Sequence, residues 1–370
     1  MKRTVRAGAK KNPLADGRLA SQQIACHEFE TPSEVVGWLG AVQAQDYGAA
    51  KWAVGLRLPA DGATDTAIER ALAEGTVLRT HALRGTWQLV APADVRWILA
   101  LVAPRLIARN ATRYRELALD EATIRRSNDA LVKALGAGDL TRAEVASALF
   151  TAGVSTAGLR FAYLLQRAEL DALVCNGARR GKQPTYALLD RRAPKTGAPV
   201  ERDEALAELA QRYFRSRGPA TVDDFVWWSS LSPSVARAGL ELVKSTLVSE
   251  VIGGKTFWRD DVPSRRAGLE MAYLLPPFDE YLVAYRSRDA VLDPKHAKRH
   301  NAGGGMLHPC IVVDGRVIGT WRRVLTRTTV AIEIDPFEAP SRRERRNIAH
   351  AASRYGAFLG LQAKITGLSP

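Results

Sequence analysis

Three helix starts of one kind recur along this 370-residue chain, and they limit its architecture more than any other feature. Thr31-Pro32-Ser33-Glu34 precedes the apolar Val35, Val36 and Leu39. Thr141-Arg142-Ala143-Glu144 precedes Val145, Ala148 and Leu149, and Thr221-Val222-Asp223-Asp224 precedes Phe225, Val226 and Trp228. The first two are capping boxes, in which the Thr hydroxyl and the Glu carboxylate each satisfy a backbone N–H of the first turn; the third is an Asp variant. Pro32 falls at the first helical position, which its fixed φ favours.

A helix and a strand pair are expected behind each start. In the first unit a helix at Thr66–Glu74 leads to strands Val77–His81 and Thr86–Val90 around the turn Ala82–Gly85. In the second, Gly153 ends the capped helix, Ala157–Leu173 follows, and Leu173–Cys175 pairs with Thr185–Leu189. In the third, Val235–Thr246 leads to Leu247–Ile252 and Lys255–Arg259 across Gly253-Gly254, a hairpin signal. Helix, turn, helix and two-stranded wing is the winged-helix plan. Three units are therefore expected, over 14–110, 120–192 and 200–262, as a divergent duplication. From 268 to 370 the pattern turns β-rich. Leu282–Tyr285, Cys310–Val313, Val317–Trp321 and Thr328–Ile334 read as strands, with a turn at Asp314-Gly315. A small antiparallel sheet or barrel closed by a helix at Ser341–Leu359 is expected, with Lys295–Gly305 as a mobile loop. The fold class is mainly α with β (α+β).

Net charge is +14, from 53 Lys and Arg against 39 Asp and Glu, which points to a polyanion, nucleic acid first. Cys26, Cys175 and Cys310 are widely spaced, so no disulfide framework or zinc knuckle is readable and a reducing cytoplasm fits. No apolar run reaches the ~18 residues of a membrane span. The basic segment 1–13 lacks the apolar core of a secretory signal and reads as a disordered arm. There is no G-x-S-x-G elbow and no P-loop. Asp279-Glu280 has no His at ligand spacing beside it, so no metal site is expected, and no cofactor.

Gln43-Ala44-Gln45-Asp46 interrupts the apolar sequence that begins at Val35. Two amides at i and i+2 do not follow a helical stripe, so a helix end is expected there, with both amides directed at one small target. A carboxamide positions water or hydrogen-bonds a base, but it carries protons poorly. Capping of the helix end or contact with phosphate is the competing role.

The segments VQAQDYGAAKWAVGLR, THALRGTWQLV, PPFDEYLVAYRSRDAVLDP and VVDGRVIGTWRR resemble, in order, those of the winged-helix DNA-binding proteins typified by the AlkZ and YcaQ DNA glycosylases. The resemblance covers most of the chain. It implies a C-shaped cradle for duplex DNA, built from three winged helices and a small β-barrel. It also implies excision of alkylated N7-type purines, including bulky adducts and interstrand crosslinks. Gln43-Ala44-Gln45 matches the AlkZ type of catalytic motif, whereas YcaQ-type members carry Asp at the second glutamine. Gln43 and Gln45 are thus the catalytic candidates, with Asp46 as a base or electrostatic partner. An N7-alkylated purine is already cationic and leaves neutral, so a placed water and stabilisation of the developing sugar cation suffice.

DNA-contact candidates are Lys51 beside the motif, Arg79, His81 and Arg84 on the first wing, and Arg286, Arg288, Arg322 and Arg323 in the C-terminal part. Lys51-Trp52 could also cover the substrate pocket, whereas Trp87 reads as core. The expected partner is double-stranded DNA carrying alkylated purines, met by a monomer in the cytoplasm at the nucleoid. The alternative is a regulator or architectural protein without catalysis, which would usually need a dimer and a palindromic site.

Overall fold

The structure is a computed structural model that describes residues 12–261 and 271–368. Most of the basic arm, residues 1–11, lies outside the described residues, whereas Asn12 caps the first helix and Pro13 opens it. Among the described residues the chain forms sixteen α-helices and fifteen strands.

The first unit comprises α1 (Pro13–Ser21), α2 (Pro32–Leu39), β1 (Val42–Gln43), α3 (Tyr47–Gly55), α4 (Asp65–Glu74), β2 (Leu78–His81) and β3 (Trp87–Val90), in a sheet of order β1-β3-β2. α5 (Val95–Arg109) and α6 (Ala111–Glu116) lead out of it. The second unit holds α7 (Glu121–Leu135), β4 (Leu140–Thr141), α8 (Arg142–Thr151), α9 (Arg160–Leu170), β5 (Val174–Asn176), β6 (Thr185–Leu188) and α10 (Leu189–Arg192), with strand order β4-β6-β5. The third holds α11 (Arg202–Arg217), α12 (Val222–Ser229), α13 (Pro233–Val243) and the hairpin β7 (Leu247–Ile252) with β8 (Lys255–Asp260). All three capping boxes form as their sequences require, at the N-termini of α2, α8 and α12.

The C-terminal part contains β9 (Ala272–Leu275), α14 (Glu280–Val283), α15 (Ala297–His300), the small hairpin β10 (Asn301–Gly303) with β11 (Met306–Leu307), β12 (Cys310–Val313), β13 (Arg316–Leu325), β14 (Thr329–Pro336), α16 (Arg342–Leu359) and β15 (Gln362–Thr366). The main sheet runs β15-β14-β13-β12-β9, so it has two edges and is not a closed ring of strands. It is antiparallel except at β14–β15, because α16 carries the chain across before the last strand pairs in parallel. Asp314 and Gly315 both take positive φ, 48° and 74°, as the turn signal requires.

Two expectations need correction here. Leu282–Tyr285 is not a strand: Asp279 caps a short helix by accepting from the Tyr281 amide at 2.9 Å, and α14 is wholly buried. Lys295–Gly305, expected as a loop, carries α15 and β10, and His300 inside it is 1% exposed.

The core does not divide unit by unit. Val35, Val36, Leu39 and Trp52 of the first unit share one cluster with Leu274, Ile311, Trp321 and Tyr355 of the C-terminal part. Leu78 and Leu83 join α5 and the third unit, around Tyr213, Phe225 and Trp228. The second unit keeps its own cluster around Leu131, Val145 and Leu164. The first unit is thus the hub, and its Gln-x-Gln segment lies between the two larger clusters.

Candidate active site

α2 ends at Gly40, whose φ of 69° suits a residue without Cβ, and the chain leaves it as a strand rather than as a helix end. Val42 and Gln43 pair with Leu89 and Gln88, and the Ala44 amide donates to Trp87 O at 2.7 Å. Gln43 therefore belongs to a short edge strand whose two residues both pair with β3. Gln45 and Asp46 form the bend before α3, and both are exposed. Asp46 serves the fold, because its Oδ1 accepts from the Ala49 amide at 2.9 Å and caps α3.

Buried charges hold this strand. Glu280, fully buried at the start of α14, accepts from the Gln43 amide at 3.0 Å. Its other oxygen accepts from Arg217 Nη2 at 2.6 Å and from Trp228 Nε1 at 3.0 Å. Arg217, also fully buried, donates to Leu39 O at 2.6 Å and to Ala41 O at 2.7 Å. Burial alone would raise the Glu280 carboxyl, but the Arg217 and Arg84 guanidiniums outweigh it and hold the group below its ordinary value. Asp279 is likewise buried and receives two bonds of 2.9 Å from Arg57. Glu280 is thus an anchor for the motif, while Asp279 holds Arg57 and caps α14. Sequence reasoning misses both roles, and it misses Arg57 and Arg217. The signal that could find them is two adjacent acids inside the apolar stretch PPFDEYLVAY, since buried carboxylates demand buried cations.

Arg84 reaches the motif from the turn between β2 and β3. Its Nη2 donates to Gln43 Oε1 at 2.6 Å and its Nη1 to Trp228 O at 3.0 Å. Its backbone is left-handed, with φ 59°, which costs a non-glycine residue about 1–2 kcal/mol.

Several of the expected DNA contacts turn inward. Arg79, 7% exposed, donates to Ala44 O from Nε and Nη2 at 3.1 and 2.9 Å and to Asn176 Oδ1 at 2.6 Å, and it lies 4.0 Å over Trp87. His81 bonds the buried Glu169 of α9 and packs on Trp87 at 4.7 Å, joining the first two units. Lys51 is buried between Asp65 at 2.8 Å and Glu69 at 2.9 Å, and Trp52 is core, with its Nε1 donating to Leu274 O. Lys51, Arg79, His81 and Arg84 thus make internal ties rather than standing free on the surface. Distant acids, carbonyls and rings close over them, which no local pattern displays. Trp87, expected as core, is half-buried.

The C-terminal arginines differ among themselves. Arg286 and Arg322 are exposed, facing Asp223 at 3.4 Å and Glu333 at 2.7 Å. Arg288 is half-buried, with Nε donating to Leu282 O at 3.2 Å. Arg323 approaches the motif: a Cβ placed on Gly48 would lie 3.1 Å from its Nη2 and 3.7 Å from Asp46 Oδ1. Burial lowers the Arg323 guanidinium, and Asp46 and Asp65 oppose the shift.

A cavity of about 260 Å³ lies beside the motif, lined among others by Tyr47, Leu72, Arg79, Trp87, Asn176 and Pro184; neither glutamine lines it. A larger one, about 700 Å³, opens beside segment 289–296 and contains no motif residue. Among the described residues no group of His, Cys, Asp and Glu is arranged to hold a metal ion, and no helix is long and apolar enough to cross a membrane. All three cysteines are buried.

Comparison with known proteins agrees with the family resemblance read from the sequence. A curated relative named as an interstrand DNA cross-link repair glycosylase, from Streptomyces sahachiroi, is 26% identical over 353 residues, covering 92% of this chain and 95% of its own. The solved structure of the Streptomyces sahachiroi DNA glycosylase AlkZ superposes with a TM-score of 0.76 at 23% identity, over 95% of this chain and 98% of that one, so the two share a fold. The model of the DNA glycosylase AlkZ-like family matches residues 36–358. The chain belongs to the AlkZ-like family of DNA glycosylases.

Proposed function

We propose that this protein is a DNA-repair N-glycosylase that hydrolyses the bond between deoxyribose C1′ and N9 of N7-alkylated purines, bulky adducts and interstrand crosslinks included. The observation that carries the proposal is the placement of Gln43-Ala44-Gln45. Arg84 of the first wing and Glu280 of the C-terminal part both bond Gln43, Arg217 of the third unit holds Glu280 in turn, and Gln45 is left exposed. Rigid supporting contacts are what a positioning chemistry requires.

The alkylated base carries the positive charge that makes it a leaving group. The C1′–N9 electron pair leaves with the base, water adds at C1′ and its proton passes to solvent. No general acid is needed, and carboxamide dipoles suit the cationic centre that develops on the sugar. An exposed Gln45 sets no size limit on the adduct. The curated relative is named for crosslink repair, which supports that substrate range. The repeated helix, helix and hairpin supports three winged-helix units over 14–110, 120–192 and 200–262 and a C-terminal part from 268, arranged as a C-shaped cradle for duplex DNA. The exposed Arg286 and Arg322 would contact phosphate. The protein would act as a monomer on damaged DNA, in the cytoplasm at the nucleoid.

Incubation with N7-methylguanine and crosslinked duplexes, followed by alkaline cleavage, tests the reading. Abasic-site strand breaks are expected on both. Duplexes that stay intact on every alkylated substrate would leave a DNA-binding protein without catalysis.

A further inference from the structure

Gln43 and Gln45 are alike in sequence but not in surroundings. A guanidinium has only donors, so the Gln43 end that faces Arg84 Nη2 at 2.6 Å must be its carbonyl oxygen. The orientation of this amide is therefore fixed by chemistry. Among the described residues its NH2 group has no partner within the protein, and it does not belong to the buried polar atoms left without one. It points to the small part of Gln43 that stays exposed, 9% of the residue. Gln45, by contrast, is exposed, and among the described residues no hydrogen bond orients its side chain.

Arg84 is itself held. Its second donor is spent on Trp228 O at 3.0 Å, and its left-handed backbone is maintained in a tight turn where the Gly85 amide donates to Ala82 O at 3.0 Å. Glu280 accepts from the Gln43 backbone and sits in the field of the same guanidinium. One residue thus has its main chain fixed by an acid and its side chain by a base, from different parts of the chain. Such double fixation suits a side chain that must present one end only.

We infer that Arg84 is a positioning residue which locks the Gln43 carboxamide with its oxygen inward and its NH2 outward, so that Gln43 acts as a hydrogen-bond donor to the lesion nucleotide and Gln45 alone supplies the accepting oxygen for water. The inference rests on the glycosylase reading above and divides the labour between the two glutamines.

Single-turnover excision from an N7-methylguanine duplex tests it, with duplex affinity and melting temperature measured on each variant. Arg84→Met should slow excision by the same factor as Gln43→Ala, with affinity unchanged. The double variant Gln43→Ala with Arg84→Met should be no slower than Gln43→Ala. Gln45→Ala with Arg84→Met should show the product of the two losses. Arg84→Lys, which restores a donor, should recover part of the rate, an outcome that a merely structural role would not give. Gln43→Glu keeps the acceptor for Arg84 and removes the outward donor, so it should fold normally yet excise as poorly as Gln43→Ala; it also stands in should Arg84→Met fail to fold. Gln43→Glu at the wild-type rate overturns the donor role. Multiplicative loss in the Gln43→Ala, Arg84→Met pair overturns the lock. A Gln43→Ala variant at the wild-type rate overturns both, while abasic sites formed by the wild type would still leave the glycosylase reading standing.

Discussion

Glu280 lies 237 residues from Gln43 in sequence, yet its Oε1 accepts the Gln43 amide proton at 3.0 Å while its Oε2 lies 2.6 Å from Arg217. Both charged side chains are fully buried. Arg217→Met should destabilise the protein by about 3–5 kcal/mol, because it strands a buried carboxylate. Urea or thermal unfolding checks this. Glu280→Gln, which retains an acceptor for the Gln43 amide, should cost less than Glu280→Ala.

Buried titratable groups also set the response to acid. Burial pushes the His300 imidazole down to about 4, reinforced by Arg288 and His308, so the folded protein prefers the neutral ring. Between pH 6.5 and about 4 the unfolded chain binds the extra proton, so stability is full above 6.5 and falls through that window. The loss amounts to on the order of 3 kcal/mol at ~1.4 kcal/mol per pH unit. Glu280, held below its ordinary value, adds a further loss as the pH falls below the unfolded carboxylate range. Unfolding free energies across pH 4–7 should therefore fall with acid, and His300→Leu should lessen the slope in that window but not abolish it, because burial pushes His27 down to about 4 as well.

DNA affinity should separate exposed from buried cations. Arg286→Ala and Arg322→Ala should each lower the slope of log affinity against log salt by about 1, as expected for one phosphate contact. Arg79→Ala and Lys51→Ala should act on stability and excision instead, since Arg79 holds Ala44 O and Lys51 closes on Asp65 and Glu69. Binding titrations at several salt concentrations distinguish the two classes.

The contrast between these residues shows what the sequence exposes. The capping boxes at Thr31, Thr141 and Thr221 and the hairpins at Gly253-Gly254 and Asp314-Gly315 depend on neighbours within a few residues, so local pattern reveals them. The state of Gln43 depends on Gln88 across the sheet, on Arg84 and on Glu280, partners up to 237 residues away. Arg79, His81 and Lys51 read as surface cations for the same reason: charge is visible in a sequence, but burial by a distant segment is not. The family resemblance singles out the Gln-x-Gln motif; its strand setting and its charged anchor are visible only in three dimensions.

The most direct measurement of the central claim is single-turnover release of N7-methylguanine from duplex DNA by Gln45→Ala beside the wild type. Loss of an orienting or electrostatic group should slow excision by roughly tenfold to a thousandfold. Duplex affinity should stay unchanged because phosphate contacts carry it. Gln45→Asp should retain part of the activity. Excision by Gln45→Ala at the wild-type rate would contradict the catalytic assignment of the exposed glutamine.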